Sequence, residues 1–297
     1  MLSPISVALC ADKNVEVGLH VTLYSLLESS QNPIKINLIQ KGYKAKDINK
    51  INQTLQPFQN QYELNVIEFD EQIFRGYKGL HGNKFPYVKI MLPSLVSDEK
   101  LIYLDSDLVI KKELSSLYLQ DLEGYVLGAF PETVIKNSLE KDTFFHIGLD
   151  EDAKHLNSGV MLIDVKKWNE LEVTNQCLDV FEKYGNTFRG LDPILNCVFY
   201  KNNFYQLDKS YNYALYPNSP PLSEYFNSIF HFVGSPKPWD LLGENLNKNY
   251  KLFEEILRKT AFSKYKSYLN ISPKKVRRTI KLSRSYYNCI RKSHKSI

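Results

Sequence analysis

Apolar positions along this 297-residue chain switch between a strand period and a helix period. Residues 5–11 (ISVALCA) form a short apolar run with β-branched residues, which predicts a buried strand. Leu19, Leu23, Leu26 and Leu27 then fall on one face of a helix. The switch recurs: residues 33–40 alternate as a strand, 45–55 carry a helical pattern, and 62–69 read as a third strand. A helix is predicted near 87–95, with strands at 100–104 and 125–130. Strands interleaved with helices predict an α/β fold with a mainly parallel central sheet. In such sheets ligands bind beyond the carboxyl ends of the strands. Past Phe130 the pattern loosens, and 131–156 are expected to be irregular and mobile. A strand at 158–165, a helix at 192–200 and a strand at 228–233 follow, and a helix over 247–262 closes the body.

One break in this pattern carries chemistry. Residues 101–110 (LIYLDSDLVI) deliver Asp105, Ser106 and Asp107 to the end of a predicted core strand, where a ligand crevice is expected. Two neighbouring carboxylates repel each other and are costly to bury without a cation. Carboxylate oxygens suit Mg²⁺ or Mn²⁺, which in turn bridge phosphate oxygens. A turn plus a cap is the plainer reading of the pair taken alone. Asp150-Glu151-Asp152 is an internal control: it has the same spacing but sits in a loosely patterned loop and reads as solvated surface. Residues 231–239 (HFVGSPKPW) add His231 at a strand end as a third ligand. Gly234 allows close backbone approach to an anion, and Lys237 between prolines supplies a point charge for phosphates. After the first strand, Asp12 and Asn14 are suited to hydrogen-bonding a base or ribose. Neither a dinucleotide glycine fingerprint nor a phosphate-binding P-loop occurs.

Composition changes this picture little. With 43% hydrophobic and 24% charged residues the chain is ordinary globular protein. No apolar stretch reaches the length of a membrane span, no secretory signal is visible at the N-terminus, and four dispersed cysteines are expected to be reduced thiols with no zinc site. Charge matters more. The net charge is +5, but eleven of the 38 basic residues and no acidic one lie in 264–297, so the first 263 residues carry 27 basic against 33 acidic side chains. An acidic body bears a basic tail. Val276, Ile280, Tyr287 and Ile290 fall near one side of a helix starting after Pro273, which suits an anionic membrane surface.

The segments ALCADKN, KIMLPSLVSDEKLIYLDSDLVI, LGAF, LNSGVMLIDVKKW, DPILN and HFVGSPKPW occur in the order and spacing of the family 8 glycosyltransferases. Over residues 4–260 the chain resembles the bacterial lipooligosaccharide and lipopolysaccharide α-galactosyl- and α-glucosyltransferases of that family. The resemblance implies a GT-A fold over 1–262, and the charge pattern adds a basic amphipathic, membrane-associating tail at 263–297. It also implies a retaining transfer of hexose from UDP-galactose or UDP-glucose with Mn²⁺, or Mg²⁺ in its place. Carried over position by position, Asp105, Asp107 and His231 would bind the metal, and Gly234 and Lys237 the diphosphate. Cys10, Ala11, Asp12 and Asn14 would surround the uridine, with Lys89 and Ser106 completing the donor site. Asn157 and Glu132 would face the donor sugar. Two positions depart from the pattern: Val15 stands where an aromatic residue often follows the Asn, and Asp192 stands where the family has a Gln beside the anomeric carbon. The expected acceptor is a lipid-linked cell-surface glycan, the lipopolysaccharide outer core, met at the cytoplasmic face of the inner membrane. A sugar-phosphate nucleotidyltransferase is the rival enzyme, although its Gly-rich signature is missing. A nucleic-acid-binding protein is the rival of another class, and the acidic body and lack of a binding motif argue against a nucleic-acid partner.

Overall fold

The structure, a computed structural model, describes residues 4–76, 83–185, 187–188, 190–201 and 203–293. Ten strands are present among them: β1 (Ile5–Asp12), β2 (Ile34–Lys41), β3 (Tyr62–Glu68), β4 (Lys100–Leu104), β5 (Leu108–Ile110), β6 (Leu127–Val134), β7 (Lys154–Asp164), β8 (Tyr205–Gln206), β9 (Tyr213–Ala214) and β10 (Ile229–His231). Seven form one sheet in the order β3-β2-β1-β4-β7-β6-β8, and β5-β10-β9 form a small second sheet. The first four strands of the large sheet are mutually parallel, and β7 alone runs against both of its neighbours. The mainly parallel α/β sheet expected from the sequence is therefore present.

Strand alternation divides the core. On β1, Val7, Leu9 and Ala11 point to one face of the sheet, against Leu19, Leu23 and Leu26 of the helix Glu16–Ser29, while Ala8 and Cys10 point to the other. That second face is covered by Tyr87, Val88 and Ile90 from the 3₁₀ turn Phe85–Met91 and by Trp168, Phe181 and Phe188. A third apolar cluster joins Val17 and Val21 to Phe230, Phe232, Trp239 and the helix Tyr250–Leu257. The cysteines form no disulfide. Among the described residues, no helix is long and apolar enough to cross a membrane.

Two expectations fail. Residues 131–156 are not an irregular segment: β6 continues through Val134, a short helix spans Lys141–His146, and β7 begins at Lys154. Ile135, Phe144 and Leu156 are buried anchors set too far apart to create a period. The helix predicted near 87–95 is instead a 3₁₀ turn followed by one α turn, Leu92–Leu95, because Pro86 and Pro93 each remove a backbone donor. The helix Val173–Tyr184 was not anticipated.

The tail runs on as two helices, Pro273–Lys281 and Ser283–Ser293. The first starts where Ser272 accepts a hydrogen bond from Lys275 N with Pro273 in the first turn, a capped beginning. Leu282, Tyr286 and Cys289 are buried against the body, and Val276, Ile280, Tyr287 and Ile290 are exposed.

Candidate functional site

The carboxylate pair lies where β4 of the large sheet hands the chain to β5 of the small one. Asp105 N donates to Gly159 O at 2.8 Å, continuing the β4–β7 ladder by one residue. Because β7 is antiparallel, its early residues Asn157, Ser158 and Gly159 meet the end of β4. The β5–β10 pairing sets His231 opposite Leu108, and Phe232 N donates to Asp107 O at 3.0 Å. Separate segments thus bring Asp105, Asp107 and His231 together, with one ligand atom of each within 4.8 Å of the others.

The orientation of His231 follows from a chain of hydrogen bonds that starts on the backbone. Gly159 N donates to Asn157 Oδ1 at 2.9 Å, so that oxygen is an acceptor, and Asn212 Nδ2 donates to it at 2.8 Å. Asn212 Oδ1 is then the acceptor 2.9 Å from His231 Nδ1, which carries the proton. The unprotonated Nε2 faces Asp107 Oδ1 at 3.2 Å, and that oxygen is buried with no hydrogen-bond donor. Two lone pairs directed at one space fit a cation between them, and this donor set suits Mn²⁺ or Mg²⁺. Glycine is required at 159, since a Cβ there would lie 2.3 Å from His231 Cε1.

Positive charge surrounds the pair. Asp105 Oδ1 accepts from Tyr103 OH at 2.6 Å and pairs with Lys89 Nζ at 2.8 Å. Burial favours neutral Lys89, but Asp105 and Asp192 outweigh it and hold the ammonium above its ordinary pKa. Burial would likewise raise Asp107, yet the Lys237 ammonium, 2.5 Å away, holds its carboxyl far below the usual range. Ser158 Oγ links Lys89, at 3.1 Å, to the carboxylate of Asp192. Asp192 opens a short helix, Asp192–Val198.

These residues line a cavity of about 960 Å³. Cys10, Asp12, Lys89, Asp105, Ser106 and Asp107 are on its wall, as are Glu132, Asn157, Asp192, His231, Gly234 and Lys237. Gly234, at φ 75°, occupies backbone space that favours glycine, and Tyr216 packs close to it. Ala11 and Asn14 are not on the wall. Ala11 points into the core on the opposite face of β1, and Asn14 Nδ2 donates to Asp12 Oδ2 at 2.6 Å. Val15 is on the wall, on the Asp12 side. The second D-x-D, at 150–152, is exposed as expected.

Several site residues were not anticipated. Tyr103 and Ser158 lie inside motifs that had already been singled out, whereas Asn212 and Tyr216 lie in unpatterned chain. Tyr216 OH donates to Glu132 Oε1 at 2.7 Å, and Asn157 Nδ2 holds the other oxygen at 2.7 Å. His155 is also on the wall, its Nδ1 buried without a hydrogen-bond partner, and burial holds its pKa below the ordinary value against Asp192 and Glu132.

The chain is similar to known proteins over most of its length. Residues 6–243 match the family model described as Glycosyl transferase family 8. The chain is 26% identical over 250 residues to glycosyltransferase GlyF of Streptococcus pneumoniae, covering 79% of this chain and 57% of that relative. It is 23% identical over 278 residues to general stress protein A of Bacillus subtilis, covering 86% and 93%. The fold is similar to that of galactosyltransferase LgtC, solved with donor and acceptor sugar analogues. That similarity has a TM-score of 0.71 at 19% identity and covers 86% of this chain and 96% of LgtC.

Proposed function

Because the chain belongs to glycosyl transferase family 8, we propose that it transfers a hexose from UDP-galactose or UDP-glucose to a lipid-linked cell-surface glycan. The transfer keeps the donor's anomeric configuration and uses Mn²⁺, with Mg²⁺ as the alternative ion. The lipopolysaccharide outer core is the acceptor that the sequence resemblance suggests. One observation carries the reading: Asp107 Oδ1 and His231 Nε2 face each other in a cavity also lined by Lys237 and Lys89.

Bound by Asp105, Asp107 and His231, the ion would supply Lewis acidity to the diphosphate and stabilise the charge on departing UDP. The chain's own groups do the rest. Lys237 places a second positive charge at the phosphates, where it is fixed before the reaction begins. Asp12, hydrogen-bonded by Asn83 and Asn14, faces the nucleoside. Asn157 and Glu132, held by Asn212 and Tyr216, orient the sugar. Asp192 presents a carboxylate to the developing positive charge at the anomeric carbon. The acceptor hydroxyl attacks on the face from which the phosphate departs.

The tail belongs to the same proposal as an anchor on anionic membrane at the cytoplasmic face. Support comes from the exposed Val276, Ile280, Tyr287 and Ile290 among its cations, each cation worth about 1 kcal/mol near such a surface.

A screen of UDP-sugars with Mn²⁺ tests the reading by the product released. Release of UDP from one UDP-hexose, dependent on Mn²⁺ and stimulated by a glycan acceptor, is expected. Release of pyrophosphate from a nucleoside triphosphate and a sugar phosphate would instead identify a nucleotidyltransferase.

A further inference from the structure

The helix Pro273–Lys281 turns Lys275 toward Tyr265 OH, at 2.6 Å, and Arg278 toward the loop that carries Lys237. Arg278 Nε donates to Asp240 Oδ1 at 2.9 Å and Nη2 to Oδ2 at 3.3 Å. Asp240 is 6% exposed, so its carboxylate depends on partners. The other partner is Lys237, whose backbone N donates to Asp240 Oδ2 at 2.9 Å, while Asp240 N returns a bond to Lys237 O at 3.0 Å. Lys237 Nζ then reaches Phe232 O at 2.6 Å and Asp107 Oδ2 at 2.5 Å. A continuous set of contacts therefore runs from a cation of the C-terminal helix to the carboxylate pair.

We infer that Arg278 is a positioning residue for the diphosphate-binding Lys237, acting through Asp240, so that the C-terminal helix is a working part of the donor site. The inference rests on the proposed UDP-sugar reading. The physical argument concerns the Asp240 carboxylate. With Arg278 present, its two oxygens are shared between the guanidinium and the Lys237 N–H, which fixes the 237–240 turn. Without Arg278, a buried carboxylate loses its hydrogen-bonded counter-charge and turns toward water. That movement releases the Lys237 N–H. The ammonium at the end of that side chain would then sample positions away from the phosphates, and misplacement of about 1 Å is enough to matter. The tail has a second grip nearby, on the helix Ser283–Ser293, where Tyr286 OH donates to Leu241 O at 2.8 Å with no hydrogen bond to Asp240 or Lys237.

Isothermal titration of the full chain with UDP in the presence of Mn²⁺, paired with uridine binding by NMR line broadening, separates positioning from mere folding. Arg278→Ala should bind UDP about tenfold more weakly, the scale of one misplaced charge-assisted contact. Its uridine affinity should be unchanged, because uridine has no diphosphate for Lys237 to meet. Arg278→Lys, which can reach one carboxylate oxygen, should recover part of the loss, and Tyr286→Phe should match the wild type. Should Arg278→Ala fail to fold, Arg278→Gln keeps the stem and carries the same expectation. Wild-type UDP affinity in Arg278→Ala, or equal loss for UDP and uridine, overturns the inference. A wild-type protein that binds no UDP overturns the donor reading itself.

Discussion

Asn212 Oδ1 lies 2.9 Å from His231 Nδ1 while its Nδ2 donates to Asn157 Oδ1 at 2.8 Å. One buried amide thus ties the imidazole of the carboxylate cluster to the amide beside Glu132. It also decides which imidazole nitrogen is bare. Outer-shell partners of this kind typically hold 10- to 100-fold in metal affinity. Asn212→Ala should therefore weaken Mn²⁺ binding by about that factor, measured by Mn²⁺ electron paramagnetic resonance titration, with the protein still folded. Unchanged affinity would mean that the tautomer is not set by this contact.

Asp192 stands where the sequence resemblance would place a neutral amide. A carboxylate at that place can stabilise, or bond to, an electron-poor anomeric carbon in a way an amide cannot. Asp192→Asn should lose about a hundredfold or more in turnover, the scale of a group acting on the transition state. UDP affinity should hold. A glycosyl-Asp192 adduct in mass spectra of the wild type incubated with donor and no acceptor would instead make the carboxylate a covalent nucleophile. A fully active Asp192→Asn protein would remove Asp192 from the chemistry.

His20 gives the fold a defined acid sensitivity. It is fully buried, its Nδ1 is 2.6 Å from Thr54 Oγ1, and Phe262 meets its ring edge-on. Burial first, then Lys50 and Lys13, lower its pKa to about 3 from the ordinary 6.5. The sign follows from linkage: below 6.5 the unfolded chain takes up a proton that the native state refuses until about 3. Stability is therefore lost as pH falls through that window, by about 2 kcal/mol at pH 5. In urea titrations at pH 8 and 5, His20→Gln should show about 2 kcal/mol less of this loss than the wild type. Equal losses in the two proteins would clear His20 of the role.

How legible the site was depended on whether a residue sat inside a periodic element. Asp105 and Asp107 stood out because they interrupt an apolar run, and His231 because it ends one. Alternation on β1 was equally readable: Cys10 and Asp12 share a face and Ala11 faces the opposite core, so Ala11 belonged to the scaffold behind the wall. Asn212 and Tyr216 left no signal, since their positions arise from β9 and the chain on either side of it packing beside β10. Residues 131–156 misled for a related reason. Isolated anchors such as Phe144 order a segment without marking a period.

The outer face of the tail predicts behaviour at membranes. Ile280 is 67% and Tyr287 61% exposed, while Tyr286 and Cys289 on the other side are buried. The protein should cosediment with vesicles rich in anionic lipid and be released as salt rises, because exposed charges are screened over about 10 Å at 0.1 M. The double change Ile280→Asp and Tyr287→Asp should reduce that cosedimentation several-fold and leave turnover on a small soluble acceptor unchanged. If it cosediments as well as the wild type, the outer face is not the contact surface.

The proposed function requires Asp105, Asp107 and His231 to hold a metal ion that serves a UDP-sugar. The decisive measurement is a titration of Mn²⁺ into wild-type and Asp107→Asn protein with UDP present, alongside thermal unfolding of both proteins without metal. The wild type should bind one Mn²⁺ together with UDP, and Asp107→Asn should lose that binding; it should unfold at a somewhat lower temperature, since Lys237 loses its paired carboxylate, yet stay folded under the titration conditions. Undiminished Mn²⁺ and UDP binding by Asp107→Asn would contradict the account.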